Sequence, residues 1–291
     1  MKMLKLLLKI IKIIFTFFEN KKIRKAIFDN SEPNTILFSR GVNENFILQS
    51  NDQVIGRTVY ATKKPFDFDK LTKVLKIINL KKNELLIDVG ANIGTICIPA
   101  IKRNLFNKAI VFEPEPLNYS LLLSNIIING CYNKISTHNI ALGSKNREKL
   151  NLQLDDHNKG NHRIIINSKI KLKKNIVINS HKLDSFIKNI NSLSTLVWID
   201  VQGSETQVLL GAKKLLNKKV PVCVEFSPTF LEKKKYDIFK KMFIKNGYNY
   251  FYNLNLPLKK IALNNESIDN LYKTLKKIKF AEADLLFIYK K

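Results

Sequence analysis

The sequence predicts an α/β fold: a Rossmann-like, mostly parallel sheet with helices on both faces, preceded by an N-terminal helical extension. Three observations carry this. From position 84 onward, short aliphatic runs alternate with amphipathic stretches of about 10 to 15 residues, the pattern of parallel strands linked by helical crossovers. The first run opens into IDVGANIGTICIPA (87–100), where Gly90 and Gly94 mark a turn that brings backbone close to something. Polar side chains, namely Asp88, Glu113, Asp200 and Gln202, fall at the carboxyl ends of these strands, where open α/β sheets bind ligands.

The pattern divides the chain into a basic, amphipathic extension (1–44), accessory strands and a helix (45–82), and a ligand-binding domain (83–291). Lys2, Lys5, Lys9 and Lys12 would share one helix face in the otherwise apolar MKMLKLLLKIIKIIFTFF. Its lysine-free stretch is far shorter than the roughly 20 residues needed to cross a bilayer, and no small-residue cleavage site follows. Residues 1–25 therefore read as a helix lying on an anionic membrane surface; docking on the protein's own body or a second subunit is the alternative.

Residues 45–63 contain two β-rich runs around SNDQ, and 66–83 reads as an amphipathic helix. ELLIDVG, AIVFEP and ISTHNIAL are strands, separated by helices over TICIPAIKRN and PLNYSLLLSNIIING. REKLNLQL and NIVINSHKL are extra strands flanking the polar DDHNKGNH (155–162). A short helix over LDSFIKNI leads to the strand TLVWIDV, a helix over SETQVLLGAKKLLNKK and the strand PVCVEF. YDIFKKMFIKNG is a helix, YNYFYN a strand, SIDNLYKTLKKIKF a helical insertion and ADLLFIYKK the final strand.

The net charge of +26 over 291 residues fits an anionic partner, but lysines spread along the whole chain equally fit a solvated surface. Cys97, Cys131 and Cys223 are odd in number and sit in apolar runs, which argues against a disulfide framework and for a reducing compartment such as the cytoplasm. No CxxC or HExxH spacing is present, so no metal is expected.

The glycine spacing GxxxG lacks the third glycine of a pyrophosphate site. Glu113, about 20 residues on, is placed to accept hydrogen bonds from ribose hydroxyls, and Asp88 adds a second carboxylate. Two anions beside few phosphate-binding amides suit a cationic nucleoside, and S-adenosylmethionine fits that description.

The blocks DVGANIG, VFEPEPLNYSLLLSNIIING, IALGS, KLDSF, WIDVQGSETQVLLGAKKLL and VPVCVEFSP, in this order across about 50–255, resemble the FkbM family of S-adenosylmethionine-dependent methyltransferases. The resemblance implies a class I methyltransferase sheet of seven strands with the last one reversed, and O-methylation of a saccharide, glycolipid or related metabolite. It implies that Asp88, Gly90, Asn92 and Gly94 line the methionine end of the cofactor. Glu113 would hold the ribose, and Asn139 to Ala141 would flank the adenine. The family's Asp-x-Glu-Gly block reads Asp200-Val201-Gln202-Gly203 here, so Gln202 is excluded as a base and is expected, with Glu205, near the substrate.

A hydroxyl acceptor must lose its proton. Asp200, His162 and His157 are the candidates, the two histidines lying in a segment that could cover the acceptor; His181 is a further titratable group. Glu205 has helix capping as its alternative role, and Trp198 and Phe226 are expected in the core. An RNA methyltransferase and a fold that has lost its chemistry are the competing readings. Against nucleic acid stand the absence of an NPPY-like tetrapeptide, of a Pro-Cys pair and of a separate basic module. The leading reading is methylation of a glycan or glycolipid acceptor at the inner face of a membrane; no pattern fixes an oligomeric state.

Overall fold

A computed structural model describes residues 7, 9, 12, 19–78, 80, 82–165 and 174–290. The expected N-terminal amphipathic helix therefore lies outside the described residues as far as position 18, except for Leu7, Lys9 and Lys12, which are helical and exposed. No described helix is long and apolar enough to cross a membrane.

Helix Lys21–Asp29, capped by the Asn20 side chain, leads into an antiparallel hairpin of β1 (Ile36–Arg40) and β2 (Asn45–Gln49). Strand β1 thus falls inside the stretch expected as helical extension. The second β-rich run expected in 45–63 is instead helix Ile55–Thr62. Its β-branched and aromatic residues suggested a strand, but the Asp52 carboxylate accepts from the amides of Ile55 and Gly56 and starts a helix. The turn spacing then buries Gly56 and Val59 on one side.

The large sheet draws on β3 (Leu85–Val89), β4 (Lys108–Phe112) and β5 (Ile135–His138). A separate four-stranded sheet interrupts the chain next, with β6 (Ala141–Leu142), β7 (Glu148–Gln153), β8 (Arg163–Ile165) and β9 (Asn175–His181) in the order β6-β9-β7-β8. The large sheet resumes with β10 (Thr195–Ile199), β11 (Val222–Phe226), β12 (Tyr250–Asn253), β13 (Ile261–Ala262) and β14 (Ala283–Ile288). Its order is β13-β12-β14-β11-β10-β3-β4-β5. β11, β10, β3, β4 and β5 are parallel neighbours, and β14 enters reversed between β11 and β12. Eight strands stand where seven were expected; the addition is the two-residue β13 on the β12 edge.

Alternation along each strand splits the core. Leu86, Val111, Trp198 and Cys223 face helices Phe68–Ile78, Cys97–Lys102 and Pro116–Ile128. Ile87, Phe112, Val197 and Val224 face helices Glu205–Leu210, Lys213–Asn217, Lys233–Lys245 and Asn265–Lys276. The single helix expected over 204–219 breaks because Asp184 intrudes: its amide donates to the Gly211 carbonyl, and its carboxylate accepts from the Lys214 amide, capping a new helix. The same turn reduces the expected helix over LDSFIKNI to one 3₁₀ turn, Leu183–Ser185.

The hairpin is stapled to helix Pro116–Ile128 through side-chain amides. Asn125 accepts from the Ile47 amide at 2.6 Å and donates to the Ile47 carbonyl at 3.2 Å. One turn later Asn129 does the same for Asn45, at 3.0 and 2.7 Å.

Candidate functional site

The loops that leave β3 and β10 touch. Gly90 has a φ of 88°, and a Cβ there would lie 1.8 Å from the Asp200 carbonyl oxygen. The close approach signalled by the sequence is therefore between two strand tips. Gly94 is needed for a different contact: a Cβ would meet Ile98 and Leu122 side chains at 2.5 and 2.8 Å, within the helix packing behind the loop.

Glu113 ties this loop to the next one. Its two carboxylate oxygens accept from the amides of Asn92 at 2.8 Å and Glu115 at 2.9 Å. Burial pushes its carboxyl up to about 8, opposed by those two hydrogen bonds. Glu115 in turn caps helix Pro116–Ile128 by accepting from the Asn118 amide.

A cavity opens beside these groups. Gly90, Asn92, Glu113 and Asn118 form one wall, and Phe112, Ile140, Ala141 and Leu142 an apolar one. The inserted sheet closes it with Leu152 and Ile164, and the 155–163 segment with Lys159, Gly160 and His162. That segment is clasped down: side-chain amides of Asn92 and Asn118 both donate to the Lys159 carbonyl, at 3.0 and 2.9 Å.

A second, more open cavity adjoins the first, and Ile55, Gly160, Asp200 and Gln202 line both. Its other walls carry Asp67, Glu225, Glu282 and Asp284, the cations Lys70 and Arg163, and the rings of Phe66, Phe230 and Phe280. Lys70 is engaged by Asp284 at 2.6 Å and Asp67 at 2.7 Å, while the Arg163 guanidinium lies 3.5 Å from the Phe230 ring centre. Gln202, held left-handed at a φ of 52°, points its amide nitrogen at Asp200 (2.8 Å) and at both oxygens of Glu225 (2.9 and 3.0 Å). Burial pushes Asp200 up to about 7 and Glu225 well above the ordinary carboxylate range, and the Asp200 charge adds to the push on Glu225.

Of the residues read as cofactor-binding, Gly90, Asn92, Glu113 and Ala141 line the first cavity, whereas Asp88, Gly94 and Asn139 do not. Strand alternation turns the fully buried Asp88 toward the Cys97 face of the sheet, where burial raises its carboxyl to about 7. Its Oδ2 has no hydrogen-bond partner among the described residues. Asn139 donates to the carbonyls of Glu113 and Pro114 and so shapes the loop from outside.

Asp200 and Gln202 border both cavities. Glu205 lines neither; its carboxylate accepts from the Gly203 amide at 2.8 Å, which closes the turn before its helix. His162 lines the first cavity, but its Nδ1 accepts from the Asp155 amide and burial lowers it to about 4. It is neutral at physiological pH with its acceptor nitrogen occupied, which makes it a donor through Nε2 and removes it as a base. His157 is exposed and reaches neither cavity, and His181 packs edge-on to Phe186. Trp198 and Phe226 are core residues. Sequence reading missed Glu225, Asn118, Lys159 and the three phenylalanines. Glu225 alone carried a usable signal, an acid at the carboxyl end of a strand.

A family model for the methyltransferase FkbM domain matches residues 88–271. The chain belongs to the FkbM methyltransferase family. No curated protein matches it. Among solved structures, this FkbM chain is similar to methyltransferase FkbM from Methylobacillus flagellatus KT, with 14% identity, a TM-score of 0.41 and 79% of this chain covered. It spans about half, 52%, of that chain's length. It is also similar to StiE O-MT residues 961–1257, with 13% identity, coverage of 80% and 75%, and a TM-score of 0.45. P. horikoshii TYW2 in complex with MeSAdo shares 12% identity, coverage of 88% and 71%, and a TM-score of 0.40.

Proposed function

We propose that this FkbM-family chain transfers a methyl group from S-adenosylmethionine to a hydroxyl of a saccharide or glycolipid. One observation carries the reading: two cavities of different chemistry meet at Asp200 and Gln202, so a donor and an acceptor can be held on either side of one seam. The residues of the first cavity fit the cofactor. Glu113 offers acceptor capacity for ribose hydroxyls, and Ile140 to Leu142 offer an apolar wall for a purine. When bound, S-adenosylmethionine supplies an electrophilic methyl group on a sulfonium. The chain's own part is to align the acceptor oxygen, exclude water and accept a proton. The 155–163 segment, pinned through the Lys159 carbonyl, supports the exclusion of water. Phe66, Phe230 and Phe280 offer ring faces to the apolar side of a sugar, and the surrounding carboxylates accept from its hydroxyls.

Incubation with methyl-labelled S-adenosylmethionine and fractionated lipid, glycan and RNA from the source cell tests this. Label entering the glycan or glycolipid fraction supports it; label confined to RNA, or none, overturns it. We also propose that residues 1–25 hold the chain on an anionic membrane, a reading supported by the lysine stripe in the sequence. Deleting them should abolish binding to anionic liposomes and leave S-adenosylmethionine affinity unchanged; liposome binding that survives the deletion rejects the anchor.

A further inference from the structure

We propose that Glu225 takes the acceptor's proton, acting as one member of a carboxyl pair with Asp200 that the Gln202 amide holds together. The inference rests on the methyl-transfer reading above and names the group that completes it. Glu225 and Asp200 leave the carboxyl ends of neighbouring parallel strands, with Ile199 beside Val224 in the register. Glu225 is only 7% exposed, yet it lines the acceptor cavity. An amide nitrogen carries two hydrogens, so Gln202 can satisfy one oxygen of each acid and leave acceptor capacity on both. No ion pair reaches Asp200, Glu225 or Glu282 among the described residues, because Lys70 is committed elsewhere and Arg163 lies over a ring.

Two buried carboxyls bridged by one amide nitrogen titrate as a pair, both pushed above the ordinary carboxylate range. The acids facing Glu225 act in the same direction. After burial itself, Asp200 beyond β10, Glu205 at the next helix start, Glu282, and Asp284 opposite on β14 all favour its protonated form. Arg163 from the inserted sheet opposes them. Between its two deprotonations such a pair carries one charge, so one carboxylate can accept a proton while the other stays protonated.

In the step, the acceptor oxygen bonds to the methyl carbon as the methyl–sulfur bond breaks, and sulfur keeps that electron pair as a neutral thioether. The hydroxyl proton passes to the Glu225 carboxylate, leaving a methyl ether and a neutral carboxyl that returns its proton through the open cavity mouth. His162 is unsuited to this task, and Glu205 does not line the cavity.

The test compares the full chain with Glu225→Gln, Glu225→Asp and Gln202→Glu, following label transfer to the glycan and lipid fractions from about pH 5 to 9, a span that brackets the pair's titration. Calorimetry with S-adenosylmethionine runs in parallel. Expected are a loss of about 100-fold or more for Glu225→Gln with cofactor affinity unchanged, and partial recovery in Glu225→Asp with a displaced acidic limb. Gln202→Glu, which adds a third carboxyl, should move the acidic limb to higher pH. A Glu225→Gln enzyme that keeps the wild-type rate and limb overturns the proposal and leaves methyl transfer standing. Loss of cofactor affinity in that variant assigns Glu225 to the scaffold and also overturns it. A wild-type chain that labels no fraction defeats the methyl-transfer reading itself, and this inference falls with it.

Discussion

The two cavities share a seam and differ in almost everything else. The first is walled by Phe112, Ile140, Leu142, Leu152 and Ile164 around the deep carboxylate of Glu113. The second gathers Asp67, Glu225, Glu282 and Asp284 around two cations that already have partners. Both sit on strand tips of one sheet, so the topology fixes where ligands go and the individual side chains fix which. The contrast also shows what bulk charge is worth. A chain of net charge +26 lines this pocket with more acids than cations, so the net charge describes the surface and not the site.

The largest effect should come from the point both cavities depend on. Gly90→Ala forces a Cβ into the Asp200 carbonyl in a left-handed residue, and should cost about 3 kcal/mol or more, read as a lowered thermal midpoint together with lost cofactor binding. A variant as stable as wild type would mean that the two tips are not tightly apposed. Glu113→Ala should break the first cavity alone. Loss of its hydrogen bonds to the ribose hydroxyls, worth about 0.5 to 1.5 kcal/mol each, should weaken S-adenosylmethionine binding by about 10-fold in calorimetry, with no effect from Glu282→Gln in the same assay.

The buried acids sharpen the comparison through pH. Burial raises Glu113 to about 8, and Asp88 and Asp200 to about 7. The unfolded chain therefore releases these protons at lower pH than the folded one. The stabilisation is complete below the ordinary carboxylate range, near pH 4, and is lost as pH rises through about 7 to 8. Chemical denaturation of the ligand-free chain should show stability falling over that window, less steeply in Glu113→Gln; equal slopes would remove Glu113 from the account.

Smaller effects separate cover from floor. Asn118→Ala removes one of the two bonds to the Lys159 carbonyl, at a cost of about 1 kcal/mol, and should speed amide exchange in 155–163 and cofactor release by a few-fold. Glu205→Gln should be the mildest, changing transfer less than about twofold while lowering stability by about 1 kcal/mol, because its oxygen serves the Gly203 turn. A large loss of transfer would return Glu205 to the substrate.

The legible part of the molecule is the part governed by local rules. Strand–helix alternation and an acid at each strand tip located Glu113 and Asp200, and the same rule applied to VCVEF would have found Glu225. Four of the five residues in that run are apolar, which masks the acid. Asp88 shows the opposite error: a strand-end acid whose side chain alternation sends to the back of the sheet. Helix Ile55–Thr62 was read as a strand because one cap at Asp52 and tertiary burial outweigh β propensity. The Lys159 clasp joins residues 41 and 67 positions apart, and no local pattern encodes such a pairing.

The paired asparagines under the hairpin have a protective consequence. A strand margin with bare amides and carbonyls is an invitation to any passing chain. Asn125 and Asn129 occupy that margin of β2 in the manner of a borrowed strand, although they come from a helix. Replacing both with leucine would unmask the margin, and self-association at high concentration is what such a chain should then display.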